Sequence, residues 1–290
     1  MINRRRSPSS EISRDKKLSG HRNEVIFAEM INGKVLKGTQ KGDVKDQQEN
    51  LYSVKSGKKW QIFLYSYTRI KSSKYLKLLQ PSLEAFPIEY DTYLKDRTKC
   101  ISFKETYKEE NGDKAIKILT NEEVKDAIGE NTYILAKEKL RTISIANTKK
   151  LNDKRILKNF YNEAIFNNDE VEYLVIRVDS ENENFLVFHK DDVLETISDL
   201  TYPSYSRAGR VPIDYNVEGQ KTLLCYELNG RSKNIVEIEI RNDSATHYRQ
   251  VRFNMYSKDT YAILLKNIPD KKIHKNITIF GKAVETLQLY

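Results

Sequence analysis

The reading of the chain turns on residues 41–69, KGDVKDQQENLYSVKSGKKWQIFLYSYTR. Two short β-like runs lie in it, one around Val44 and one from Leu51 to Lys55. Asp43 opens the first, after Gly42, and Lys55 closes the second. Side chains alternate along a strand, so Ser53 and Lys55 face one way and Val54 faces the core. On neighbouring strands, the Asp43 carboxylate and the Lys55 ammonium can converge on one point.

Working outward, residues 15–32 carry Leu18, Val25 and Ala28 near helical spacing, with Asn32-Gly33 as a stop. Short strands follow at 34–38, 42–46 and 51–55. After Gly57 the pattern predicts a helix, with Gln61 and Tyr65 one turn apart on a shared face. Residues 69–168 read as mostly helical, with strand near 101–103 and 132–135. Residues 151–166 form an amphipathic helix with Ile156, Phe160 and Ala164 on one stripe. The chain then turns β-rich, with strands expected in 170–178, 184–190, 222–228, 234–242 and 248–256. A helix is expected over 258–268.

The 290 residues suffice for one large or two modest domains. A net charge of +9 is spread along the chain and suits a polyanion met through phosphate contacts. Two cysteines, Cys100 and Cys225, lack metal-ligand spacing and favour a reducing compartment, hence the cytoplasm. No apolar run is long enough for a membrane span. Residues 1–14 read as a flexible basic arm, residues 15–150 as a core with a helical insertion, and residues 151–290 as a β-rich region that shares a sheet with the core or stands apart from it.

Phosphodiester hydrolysis uses a divalent metal held by carboxylates and a cation that orients the attacking water or offsets developing charge. An Asp on one strand and an acid-x-Lys on its neighbour place those groups together. Asp43 with Ser53-Val54-Lys55 resembles this pattern as it occurs in the PD-(D/E)XK nuclease superfamily. The following SGKKWQIFLY, with Gln61 and Tyr65, is similar to the Gln-x-x-x-Tyr element of RecB-like nucleases. The upstream stretch resembles type II restriction endonucleases, in which a helix bearing an acid precedes the metal-binding strands. Glu24 matches that acid, with Glu29 on a different helix face, and His21 sits one turn before Glu24.

The resemblance implies an α/β (α+β) fold with a central mixed sheet flanked by helices, and a β-rich C-terminal region for DNA recognition. It implies Mg²⁺, with Mn²⁺ as a substitute, held by Asp43, Glu24, the Val54 carbonyl and His21. Asp43, Lys55, Glu24 and Ser53 would form the catalytic set. The pattern departs at Ser53, where an acid is expected, which places more of the metal on Asp43 and Glu24. Gln61 and Tyr65 would contact DNA.

In 234–259 a β-hairpin is expected, with Val236, Ile238 and Ile240 inward on one strand and Val251, Phe253 and Met255 inward on the other. Gln250, Arg252 and Asn254 then face outward, and such side chains can pair with base edges in a major groove. The loop 202–215 is basic and Tyr-rich, and offers Arg207 and Arg210 to DNA. The expected activity is Mg²⁺-dependent, sequence-specific cleavage of double-stranded DNA, and the resemblance implies a cognate DNA methyltransferase in the same system. A homodimer would match a twofold-symmetric site. The alternatives are a RecB-like repair exonuclease and a non-catalytic DNA-binding protein on a decayed nuclease fold.

Overall fold

A computed structural model describes residues 10–36, 41–84, 142–143, 145–178, 184–204, 221–228, 231–241, 250–269 and 271–287. The chain divides into two compact units that interleave along the sequence. The first unit takes Met1–Trp60, Tyr161–Asp199 and Ser257–Tyr290. The second takes Gln61–Phe160 and Leu200–Tyr256.

The first unit is built on a seven-stranded mixed sheet. Its strands are β1 (Lys34–Val35), β2 (Val44–Lys45), β3 (Leu51–Lys55), β5 (Tyr173–Arg177), β6 (Phe185–His189), β11 (Lys271–His274) and β12 (Ile277–Phe280), in the order β1-β2-β3-β5-β6-β12-β11. β3 with β5 and β6 with β12 are parallel, and the remaining neighbours are antiparallel. Pairing of β3 with β5 joins residues before and after 150 in one sheet. A parallel neighbour needs a long crossover. Here the chain leaves for the second unit and returns through the helix Lys154–Phe166.

One face of this sheet is covered by α1 (Ser10–Met30), which buries Phe27 and Ala28 against Val44, Tyr52, Val54, Val175, Phe185 and Val187. The Phe27 ring meets Tyr52 edge-on at 5.4 Å and Phe185 at 5.3 Å, and Tyr52 stacks on Tyr173 at 5.0 Å. The alternate residues Ser53, Leu174, Ile176, Phe188 and Phe280 are also buried but belong to the reverse face. Burial on both faces explains why 173–176 reads as an apolar run without alternation.

The second unit is built on a five-stranded sheet, β4-β10-β9-β8-β7. β4 is Lys59–Ser66, β7 Tyr202–Ser204, β8 Lys221–Leu228, β9 Arg231–Arg241 and β10 Gln250–Tyr256. The helix expected after Gly57 is therefore a strand. Trp60, Ile62 and Phe63 are buried and Gln61 and Leu64 exposed, and aromatic and β-branched side chains pack better on a pleated surface than on a helix. Gly57 adopts φ +79 at the turn into that strand.

The expected hairpin of β9 and β10 forms, and the residues expected inward face one another, with Val251 opposite Ile240, Phe253 opposite Ile238 and Met255 opposite Val236. β11, β12 and the helix Lys190–Leu200 have no counterpart among the elements expected from the sequence. The strands expected near 101–103 and 132–135 lie outside the described residues, as do residues 1–9 of the basic arm. Ser10–Arg14, expected in that arm, begin α1.

Among the described residues, no helix is long and apolar enough to cross a membrane.

Candidate active site

β2 and β3 pair antiparallel for only two residues, Val44 with Tyr52 and Lys45 with Leu51. The turn between them is fixed by Asp46. Its carboxylate accepts from the backbone of Gln48 and Asn50, both at 2.9 Å, and from the Tyr52 hydroxyl at 2.7 Å. Burial pushes the Tyr52 hydroxyl far above its ordinary pKa, and the bonded Asp46 carboxylate adds to that shift. Tyr52 therefore stays a proton donor to Asp46, and the hairpin register is pinned.

One residue beyond that pairing, Asp43 still donates its N–H to the Tyr52 carbonyl at 2.7 Å. β2 ends there, and the next ladder donor of β3, the Val54 N–H, would lose its partner. The Asp43 side chain replaces the missing carbonyl: Oδ2 accepts from Val54 N at 2.7 Å, Lys55 Nζ at 3.0 Å and Ser53 Oγ at 3.3 Å. Three donors saturate Oδ2. Oδ1 makes no hydrogen bond among the described residues. The Asp43 and Lys55 side chains keep 21% and 18% of their surface exposed, so the pair is held in place yet reachable from solvent. Upstream, Lys41 Nζ donates to the Ala164 carbonyl at 2.6 Å and ties the approach to Asp43 onto the helix Lys154–Phe166.

The sequence expectation that Asp43, Ser53 and Lys55 meet is thus met in space, and Val54 joins them through its amide while its side chain enters the core. Glu24 and His21 do not join. They pair with each other on α1 at 3.1 Å, and among the described residues no three His, Cys, Asp or Glu side chains gather to hold a metal. The physical reason is facial: α1 docks its Phe27–Ala28 stripe on the Tyr52–Val54 face, and Ser53 and Lys55 point to the other.

Of the expected ligands only the Asp43 carboxylate, through Oδ1, is placed to meet a divalent ion, which would draw the rest of its shell from water and phosphate. Mg²⁺ is commonly held this way, by one or two carboxylates.

The hairpin residues expected to face DNA are differently placed. Arg252 pairs across the ladder with Glu239, which is almost wholly buried. Asn254 is buried and donates to Glu237 at 3.4 Å, and the Tyr256 hydroxyl donates to Glu237 at 2.9 Å. Residues 235–240 of β9 are all buried, so the expected open face is covered. The alternation of polar and apolar residues recorded an internal ion pair and its hydrogen bonds.

Gln61 is exposed on β4. Tyr65 stacks on Phe63 at 4.3 Å between ring centres, with the Arg69 guanidinium 4.7 Å from its ring centre. Gln250 is half-buried in β10. Arg207 and Arg210 lie outside the described residues. No protein-family model, curated protein or solved structure matches the chain.

Proposed function

We propose that the chain is a Mg²⁺-dependent endonuclease acting on double-stranded DNA, with its hydrolytic centre at Asp43 and Lys55. The observation that carries this reading is the contact of Lys55 Nζ with Asp43 Oδ2 at 3.0 Å, at a solvent-reachable point where two strands part. The mixed sheet with α1 packed on one face, and α1 preceding β2 and β3, supports the resemblance to PD-(D/E)XK nucleases.

In this reading Asp43 would hold the ion through Oδ1, while Oδ2 keeps its three donors. A bound Mg²⁺ polarises the scissile phosphate and lowers the pKa of a coordinated water. Lys55, as an ammonium ion, would orient the attacking water and offset charge on the phosphoryl oxygens, with the water's proton passing to solvent as the 3′-oxygen leaves. Val54 N–H and Ser53 Oγ keep the carboxylate from rotating away. Cleavage at defined sites, a homodimer matched to a twofold site and a partner methyltransferase belong to the same proposal.

The test is incubation of plasmid DNA with the protein and Mg²⁺. Discrete fragments from the wild type, absent with Asp43→Ala and with Lys55→Ala, are expected. An intact plasmid, or fragments undiminished in either variant, would overturn the assignment. The second reading, a DNA-binding protein without turnover, is favoured by Ser53 standing where an acid is expected. It predicts metal-independent binding and no cleavage.

A further inference from the structure

From Lys55 to Leu83 the chain carries seven Lys or Arg residues and no Asp or Glu, where its average composition would place about four acids. The imbalance comes mainly from the missing acids, with the seven cations about two above the average share. We infer that the part of this stretch in the second unit, around Arg69, Lys71, Lys74 and Lys77, grips the phosphate backbone of duplex DNA. The inference rests on the nuclease reading and names the surface that would hold its substrate.

The local fold separates apolar anchors from cations. α2 (Tyr67–Ser72), the 3₁₀ turn Leu76–Leu79 and α3 (Gln80–Leu83) bury Ile70, Leu76, Leu79 and Leu83. Arg69, Lys71, Lys74 and Lys77 are all exposed. Arg69, Lys71 and Lys77 form no ion pair among the described residues.

Arg69 is held in place. Its N–H donates to the Ser66 hydroxyl at 3.5 Å, and its carbonyl accepts from Ser72 and Ser73 at 3.0 and 2.9 Å. Its guanidinium lies over Tyr65, and the Lys74 ammonium lies 5.1 Å from the Tyr75 ring centre. Cations fixed on aromatic faces lose less freedom when they meet a phosphate.

The occupant follows from what the surface lacks. An anionic membrane would call for an apolar face to enter it, and here the large apolar side chains of α2 and the turns are turned inward. Single strands would call for open rings on which bases stack. The Tyr65 ring already has Phe63 stacked on it and the Arg69 guanidinium over it. Exposed cations outnumber the one acid beside them, Glu84, which accepts from the Tyr67 hydroxyl and from Gln80, and so suit the regular phosphates of a duplex, bound with counterion release.

The test measures binding of a short fluorescent DNA duplex by anisotropy in EDTA across a salt series, so that cleavage plays no part. The combined variant Arg69→Gln, Lys71→Gln, Lys74→Gln, Lys77→Gln should flatten the log affinity against log salt slope by about one per removed contact. A control of equal charge change, Lys258→Gln, Lys266→Gln, Lys271→Gln, Lys272→Gln, uses four other exposed lysines and should retain the wild-type slope. Circular dichroism melts check that both fold.

Equal slopes in the two variants, or a wild-type slope in the first, would overturn the surface while leaving the hydrolytic assignment standing. Failure of the wild type to bind duplex at low salt would overturn both. Displacement of the duplex from the wild type by phosphatidylserine vesicles at a lower concentration of negative charge than unlabelled duplex requires would assign the surface to lipid instead.

Discussion

Two acid–base pairs across neighbouring strands have opposite consequences. Asp43 and Lys55 in the first unit meet where β2 leaves β3, and both remain partly open to solvent. Glu239 and Arg252 in the second unit are register partners inside a continuing ladder, with the Glu239 side chain only 2% exposed. The first pair sits at an interruption in the sheet, with one carboxylate oxygen that no described group engages. The second compensates its own burial. A carboxylate beside a cation is therefore not itself a signature of chemistry. The strand register around it decides whether a substrate can reach it.

The largest expected effect separates activity from stability. Asp43→Ala or Lys55→Ala should lower the rate of plasmid cleavage by about 10³-fold or more, in the range of losing a general base or a metal ligand. Lys55→Ala should shift the unfolding midpoint only slightly, since a partly exposed ion pair contributes about 1 kcal/mol or less. Denaturant titration beside the cleavage assay distinguishes these outcomes.

The second pair should behave in reverse. Arg252→Ala removes the cation beside the buried Glu239 carboxylate and should destabilise the protein by about 3 kcal/mol, read by urea unfolding. Replacing both partners together, Glu239→Leu with Arg252→Met, should recover most of that loss. If the double replacement is as damaging as the single one, the pair has a role beyond offsetting burial.

A smaller effect concerns His189 in the first unit. Burial holds its imidazole below the ordinary pKa, against the opposing attraction of the Asp191 carboxylate. The unfolded chain therefore binds the proton more readily. The stability from the neutral ring is complete above about pH 6.5, the ordinary histidine value, and declines as pH falls from there toward the depressed folded-state value. Thermal melts from pH 7.5 downward should show this loss, and His189→Phe should weaken the dependence.

The smallest expected change is Ser53→Ala. It removes a long hydrogen bond to Asp43, should cost about 0.5–1 kcal/mol, and should slow cleavage less than tenfold. A loss as large as that of Lys55→Ala would give Ser53 a direct part in the reaction.

The same comparison shows how far the sequence could be read. Asp43, Ser53, Val54 and Lys55 were legible because strand alternation fixes which side chains share a face, and the separation of the two strands allowed convergence. The hairpin of β9 and β10 and its inward-facing residues were legible for the same reason. Its exposure was not: alternation of Glu, Arg and Asn with apolar residues looks alike on an open face and on one covered from both sides. Residues 59–66 misled because a spacing of four fits one helical turn and also two strand repeats, so Gln61 and Tyr65 share a face in either case. Glu24 and His21 lie in the expected order along the chain, but order does not say which face of the sheet α1 covers. β11 and β12 are only four residues each and offered too little pattern to notice.

The most direct measurement is sequencing of the DNA ends left after digestion with Mg²⁺. The account predicts ends at one defined sequence carrying 5′-phosphates from the wild-type protein, and no such ends from Asp43→Ala or Lys55→Ala. Wild-type digests with no ends above background, or the same ends from either variant, would contradict it.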